Sequence, residues 1–186
     1  IVFQSTHKLL EKFALMSPDQ QANLAEERLS FIRILCTSIS GRIIYYNYPE
    51  IDDTVFGNYA NKISISFLYQ LRKLNFELMN LAQENPNLFI CDIAGLQNKF
   101  GRDAMFDSSI YVTTEMVLSI DCLPYVASRT MDIICAAEGK IKKCLILDLD
   151  NTVWGGVVGD DGWENIQVGH GLGIGKAFTE FQQWVK

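Results

Sequence analysis

The chain has 186 residues, 48% of them hydrophobic and 20% charged; that is enough to bury a sizeable core and too apolar for a disordered tail. Sixteen Lys and Arg stand against 22 Asp and Glu, a net charge of −6, which disfavours nucleic acid and anionic membrane as main partners because phosphate surfaces select clustered positive charge. No apolar run reaches the ~18 residues of a membrane span, and Ile1-Val2-Phe3 opens the chain without the basic n-region of a signal peptide. Five cysteines (Cys36, Cys91, Cys122, Cys135, Cys144) stand singly, with no C-x-x-C pair. They read as buried free thiols in a reducing cytoplasm rather than as a disulfide framework.

Ile1-Val2-Phe3 is predicted to be a strand. Ser17-Pro18-Asp19-Gln20 carries the marks of a helix start: Ser as cap, Pro at the first helical position, and Gln three residues after the cap. Leu24, Leu29, Ile32, Leu35 and Cys36 then follow at helical spacing. The β-branched and aromatic run Arg42–Tyr46 is a predicted strand. Ile63, Phe67, Leu71, Leu74, Leu78 and Leu81 mark a long helix that Asn85-Pro86 stops. Leu88–Cys91 is the next strand, and a helix follows from about Asp121 to Glu138. Such alternation predicts a parallel sheet covered on both faces.

Composition changes near Gly139. All four prolines precede residue 125, and all three tryptophans (Trp154, Trp163, Trp184) follow residue 150. We therefore expect two modules, 1–139 and 140–186. The second opens with Lys143–Leu147, which has the character of a buried parallel strand. Val157–Trp163 reads as a hairpin turning at Asp161-Gly162, and Ala177, Phe178, Phe181 and Trp184 form an apolar helix face.

Open α/β sheets bind ligands beyond the carboxyl ends of their strands. Asp148 and Asp150 stand there, and in extended chain residues two apart share a side. Two like charges held close need a cation or a proton between them. A hard divalent ion such as Mg²⁺ suits oxygen ligands, and a carboxylate nucleophile beside a carboxylate acid/base is a route to covalent catalysis. Gly155-Gly156 would let backbone N–H groups approach an anion. A lone D-x-D could equally be a turn or a helix cap.

The longer string Leu145–Thr152, a hydrophobic strand followed by D-x-D-x-T, resembles the first motif of the haloacid dehalogenase (HAD) superfamily. Lys143–Gly162 as a whole resembles the FkbH-like branch, and the upstream module is similar to that family through Leu74-Asn75, Cys91-Asp92 and Phe106-Asp107. The resemblance implies an SGNH-hydrolase-like three-layer parallel-sheet domain, followed by the first strand, flap and helix of a HAD-like Rossmannoid domain. It implies Asp148 as nucleophile and Mg²⁺ ligand. Asp150 would be the general acid/base, ligating Mg²⁺ through its carbonyl. Asn151, Thr152, Trp154, Gly155 and Gly156 would shape the loop and flap toward substrate. The activity implied is phosphoryl or acyl-phosphate handling, with a glyceryl-type unit loaded onto an acyl carrier protein in polyketide or capsular polysaccharide synthesis. A plain phosphatase on a sugar or other small phosphorylated metabolite, and a non-catalytic carrier-docking module, are the alternatives.

The remaining HAD motifs would lie past the first helix, so the chain is expected to be incomplete at both ends and inactive alone. No Gly-Asp-Ser precedes an upstream helix, and Ile110 stands three residues after Asp107 where an esterase would carry His. His7 is expected to make a local polar contact, and His170 to be a substrate contact or a solvated loop residue. Cys144, ~13 Å along a strand from Asp148 at ~3.3 Å per residue, is expected to be a buried packing thiol. Asn47 and Asp92 end their strands and are expected to cap the next turns.

Overall fold

A computed structural model describes residues 1–51 and 53–186. The chain divides into two compact units, Ile1–Lys140 and Ile141–Lys186.

The first unit is a mixed α/β structure around a small parallel sheet. Strand β1 (Ile43–Tyr46) pairs in parallel with β2 (Leu88–Cys91), Ile43 opposite Leu88 and Tyr46 opposite Cys91. Ile1–Phe3 adds one parallel bridge, Val2 to Tyr45, rather than a full strand: the Val2 amide donates to the Ile44 carbonyl (2.8 Å) and its carbonyl accepts from Tyr46 (3.0 Å).

Alternation along the strands sorts side chains into two cores. Ile43, Tyr45 and Leu88 join Leu9 and Phe13 of α1 (Thr6–Phe13), Leu24, Leu29 and Ile32 of α3 (Leu24–Ser38), and Phe67, Leu71, Leu74 and Leu78 of α4 (Phe67–Glu84). Ile44, Tyr46 and Cys91 face the other way. They meet Ile93 and Leu96 of α5 (Ile93–Phe100), Met105 of α6 (Arg102–Met105), and, past α7 (Ser108–Thr114) in the chain, Val126 of α8 (Leu123–Ala137). Helices therefore cover both faces, as the alternating pattern predicted. Each fully buried Leu of α4 contributes roughly 1.5–3 kcal/mol by leaving water. Ser66 caps α4, its Oγ accepting from the Tyr69 amide, so Ile63 lies before the helix rather than on it.

Ser17 and Gln20 form the expected capping box on α2 (Pro18–Ala22). That helix stops after one turn, and Asn23 separates it from α3. The break leaves backbone groups that α2 and α3 cannot satisfy themselves. Gln70, 1% exposed, satisfies them: its Nε2 donates to the Ala22 carbonyl (2.9 Å) and to Ser64 (2.7 Å), and its Oε1 accepts from the Ala25 amide (3.1 Å). The helix predicted from Asp121 begins as a 3-10 turn (Ile120–Cys122) and becomes α-helical at Leu123, with Pro124 in its first turn.

The second unit differs from its prediction. Lys143–Leu147 forms no strand, and Ile146 is 90% exposed. A strand needs a neighbour for its alternate N–H and C=O groups, and no strand among the described residues of this unit pairs with it. Cys144 is accordingly exposed, not a packing thiol; Cys91 and Cys122 are buried. Val157–Trp163 is not a hairpin. Val158–Asp161 is a single helical turn, α9, which Gly162 ends at φ +76°. The C-terminal helix, α10 (Ile174–Val185), forms as expected. Among the described residues no helix is long and apolar enough to cross a membrane.

Candidate functional site

The segment Asp148–Asp161 is a tightly wound loop. The Leu149 carbonyl accepts from the amides of Thr152 (3.3 Å), Val153 (2.8 Å) and Trp154 (3.5 Å). Asn151 takes a left-handed conformation (φ 54°), which Asn tolerates better than most residues. It clasps Gly156 twice: its amide donates to the Gly156 carbonyl (3.3 Å), and its Oδ1 accepts from the Gly156 amide (2.9 Å). Gly156 itself sits at φ +101°.

The half-buried Asp150 is the centre of this loop. Its Oδ1 accepts from the Trp154 indole Nε1 (3.0 Å) and from the Val158 amide (3.2 Å). Asp148 is exposed, and its Oδ1 accepts from the amide of Leu149 (2.9 Å). Hydrogen bonds thus join Asp150 to Trp154, and Asn151 to Gly156; Asp148 is not bonded to any of them. Thr152 contributes its backbone amide to the turn.

Residues 155–167 close into a flap. Gly155 and Gln167 exchange both backbone hydrogen bonds (3.1 and 2.7 Å). The Asp161 carboxylate accepts from the Val157 amide (2.8 Å), and Asn165 donates to the Asp161 carbonyl (2.8 Å). Gly155 is required by close approach: a Cβ there would lie 2.8 Å from Cε2 of Phe178. α10 holds the loop from below, through Gln182 Nε2 to the Val153 carbonyl (2.8 Å). The Thr179 hydroxyl ties down Gly169 and Gly175 of the Gly-rich segment. His170 in that segment is exposed. Trp154 also lines an apolar hollow with Leu147, Val168 and Phe181.

The oxygen atoms that these two residues would offer a metal are hard donors: the Asp148 carboxylate and the Asp150 carbonyl. Among the described residues no three His, Cys, Asp or Glu side chains cluster to hold a metal. Such a set fits Mg²⁺, which keeps several waters and takes one or two carboxylates. It does not fit an ion that demands a closed protein cage.

The first unit carries a second polar concentration, of which the sequence singled out only some members. It lies past the carboxyl end of β1. Asn75 brackets Tyr48, donating to its carbonyl (2.8 Å) and accepting from its amide (2.9 Å). Gln97 does the same for Glu50, at 2.9 and 2.7 Å. Arg72 holds both Glu50 oxygens (2.6 and 2.8 Å), so this carboxyl titrates below its usual range. Asp92 caps α5 through Gly95 (2.8 Å), as expected; Asn47, rather than capping the turn after β1, donates to Asp92 (2.7 Å) and accepts from the Ala94 amide (2.9 Å). A cavity of about 230 Å³ adjoins this segment, lined by His7, Glu50, Ile51, Arg102, Met105 and Phe106 among others. Among the described residues, the polar contact expected of His7 is not found: its ring stacks on Phe106 (4.2 Å between centroids), and its buried Nδ1 has no hydrogen-bond partner there. Burial lowers its pKa, against a smaller opposing pull from Glu11. A strand-end position marked Asn47 and Asp92 in the sequence; nothing marked Glu50, Arg72 or Gln97, because their bonds are long-range.

The profile of the family described as FkbH, N-terminal domain, matches residues 1–135. No curated protein matches the chain. Among solved structures, it is similar to the N-terminal part of a Bacteroides fragilis protein that contains a phosphatase domain and was crystallised in complex with Mg. The two are 68% identical, with a TM-score of 0.91, over 97% of this chain and 48% of that one. The chain thus spans about half the length of that relative.

Proposed function

The chain belongs to the FkbH N-terminal domain family, and from that premise we propose that its second unit supplies the nucleophile loop of a Mg²⁺-dependent, HAD-type phosphoryl-handling enzyme. One observation carries this reading. The Asp148-Leu149-Asp150-Asn151-Thr152 string stands in a chain 68% identical to a Mg-complexed, phosphatase-domain protein. Because the chain covers about half of that relative, the activity is proposed for the whole protein.

In this reading an Asp148 carboxylate oxygen attacks phosphorus. The bond from phosphorus to the leaving oxygen breaks, and Asp150 gives that oxygen a proton. Asp150 then takes a proton from water as the water attacks phosphorus, and Asp148 is released. The exposure of Asp148 suits a nucleophile that must reach an incoming phosphate, and the held carboxylate of Asp150 suits proton transfer. The Asp148 carboxylate and the Asp150 carbonyl would hold Mg²⁺, whose positive charge offsets that gathering on the phosphoryl oxygens. Asn151 and Gly156 would shape the turn, and Gly155 would seat the flap against α10.

The finer reading follows the FkbH kinship: the whole protein loads a glyceryl-type unit from a phosphorylated acyl phosphate onto an acyl carrier protein, with residues 1–139 as the partner-facing or specificity module. The carrier thiol attacks the acyl carbon as the bond to the acyl phosphate oxygen breaks and phosphate leaves, and the Asp148 step hydrolyses the remaining phosphate ester. The test incubates the whole protein with Mg²⁺, a three-carbon acyl phosphate and a holo carrier protein, and takes the carrier's intact mass. A glyceryl-sized gain that disappears in Asp148→Asn supports loading. Phosphate release through Asp148 without a mass gain replaces loading by plain hydrolysis of a phosphorylated metabolite.

A further inference from the structure

The family resemblance implies that Trp154 faces substrate. Its geometry gives it further work. Its one polar atom, Nε1, donates to Asp150 Oδ1 at 3.0 Å, and its ring lies in the hollow with Leu147, Val168 and Phe181. The Val158 amide donates to the same oxygen at 3.2 Å. Both hydrogen bonds to this carboxylate fall on Oδ1. A carboxyl oxygen that accepts two N–H bonds is a poor seat for a proton, because a proton there would displace a donor. The other oxygen, Oδ2, is then the one that carries and returns the proton.

The Trp154 bond is also local. Asp150 and Trp154 are linked through backbone as well, in an isolated bridge, which holds the root of the indole beside the carboxylate. Gly155 follows directly and is fixed by Phe178 and Gln167. The donor is therefore placed before any substrate arrives, and such preorganisation favours proton transfer in the transition state.

We infer that Trp154 is a positioning residue: its indole N–H, with the Val158 amide, occupies Oδ1 of Asp150, fixes the carboxyl plane, and assigns proton transfer to Oδ2. This rests on the reading of Asp150 as the acid/base of phosphoryl transfer. It changes no atom balance. The proton still passes from Asp150 to the leaving oxygen in the first step and from water to Asp150 in the second.

The test uses the whole protein, Mg²⁺ and a series of phosphate monoesters from 4-nitrophenyl phosphate through phenyl phosphate to an alkyl phosphate, and it follows release of the leaving alcohol in a single turnover. Trp154→Phe keeps the ring and removes the N–H. An acidic leaving group needs no proton, whereas an alkoxide does. The expected loss is within ~3-fold for 4-nitrophenyl phosphate and ~30-fold or more for the alkyl ester, inside the range that general acid catalysis spans. An equal loss across the series means that Trp154 only packs, and overturns the inference; so does no loss at all. Should Trp154→Phe fail to fold, NMR of the indole N–H decides: the Trp154 resonance moves in Asp150→Ala if the bond exists, and an unmoved resonance overturns it. Asp148→Asn run beside them separates the two levels. If Asp148→Asn keeps full activity, the phosphoryl-transfer reading itself fails. If Asp148→Asn is inactive while Trp154→Phe loses evenly, only the role of Trp154 fails.

Discussion

Gly155→Ala is the most direct probe of how the flap is seated. The added Cβ would lie 2.8 Å from Phe178 Cε2, 3.0 Å from Gln167 Oε1 and 3.1 Å from Gln167 Cβ. Carbon atoms pack best at ~3.5–4.0 Å, so the ring edge must retreat by roughly 0.7 Å or more. Phe178 sits on α10, and Gln167 is paired with Gly155 through its backbone, so neither is free to move alone. Overpacking of this kind costs about 1–3 kcal/mol. Gly159→Ala is the matched control: a Cβ there meets nothing within 4 Å. All three tryptophans of the chain lie in the second unit, so fluorescence during urea titration reports that unit selectively. Gly155→Ala is expected to unfold earlier than Gly159→Ala by an amount in that range. Phe178→Leu in the Gly155→Ala background should recover part of the loss, since contacting residues are not additive. Equal midpoints for the two alanine variants would refute the close-approach argument.

Gln70→Leu leaves the Ala22 and Ser64 carbonyls and the Ala25 amide without their partner. The buried Ala25 amide costs about 1–3 kcal/mol as an orphan, whereas the carbonyls of half-buried Ala22 and exposed Ser64 cost less because water can reach them. Far-UV circular dichroism during urea unfolding should show a loss of ~2 kcal/mol or more; a change under ~0.5 kcal/mol would contradict the account of the α2–α3 break. His7 is held below its ordinary value of 6.5 by burial. The unfolded chain then binds the proton more tightly than the folded one, so stability is full above 6.5 and falls as pH drops through that value toward the lowered one. His7→Phe keeps the stack on Phe106 and removes the titration. Its unfolding midpoint should therefore depend less on pH below 6.5 than that of the unmodified chain, and parallel pH profiles would contradict the assignment.

What the sequence made legible was local or strongly periodic. The Ser17–Gln20 capping box needs only four residues, and it forms as read. β1 and β2 are apolar runs with turn signals around them, and the apolar spacing of α4 survives the shift of its start to Phe67. What remained hidden depends on partners far along the chain. Nothing near Asn23 says that Gln70, far along the chain, will satisfy a helix break, and nothing near Tyr48 or Glu50 announces Asn75 and Gln97. Lys143–Leu147 has strand composition, but a strand is a pairing, and composition does not supply the neighbour. Asp161-Gly162 signals a turn that both a hairpin and a helix end can use. The positive φ of Gly162 serves the second, and the Asp161 carboxylate reaches back to Val157 to fix it. At the candidate site the residue types were readable, whereas the commitment of the Trp154 indole to Asp150 was not, because it depends on how the loop winds around the Leu149 carbonyl.

The most direct measurement is of the covalent step. The whole protein would be mixed with Mg²⁺ and a reactive acyl phosphate or aryl phosphate, quenched in acid within one turnover, digested, and analysed by mass spectrometry. The expected result is a phosphoryl gain on the peptide containing Asp148, localised to that residue, and no gain in Asp148→Asn. Turnover that persists in Asp148→Asn, or a phosphoryl group found on another residue, would contradict the assignment of Asp148 as nucleophile.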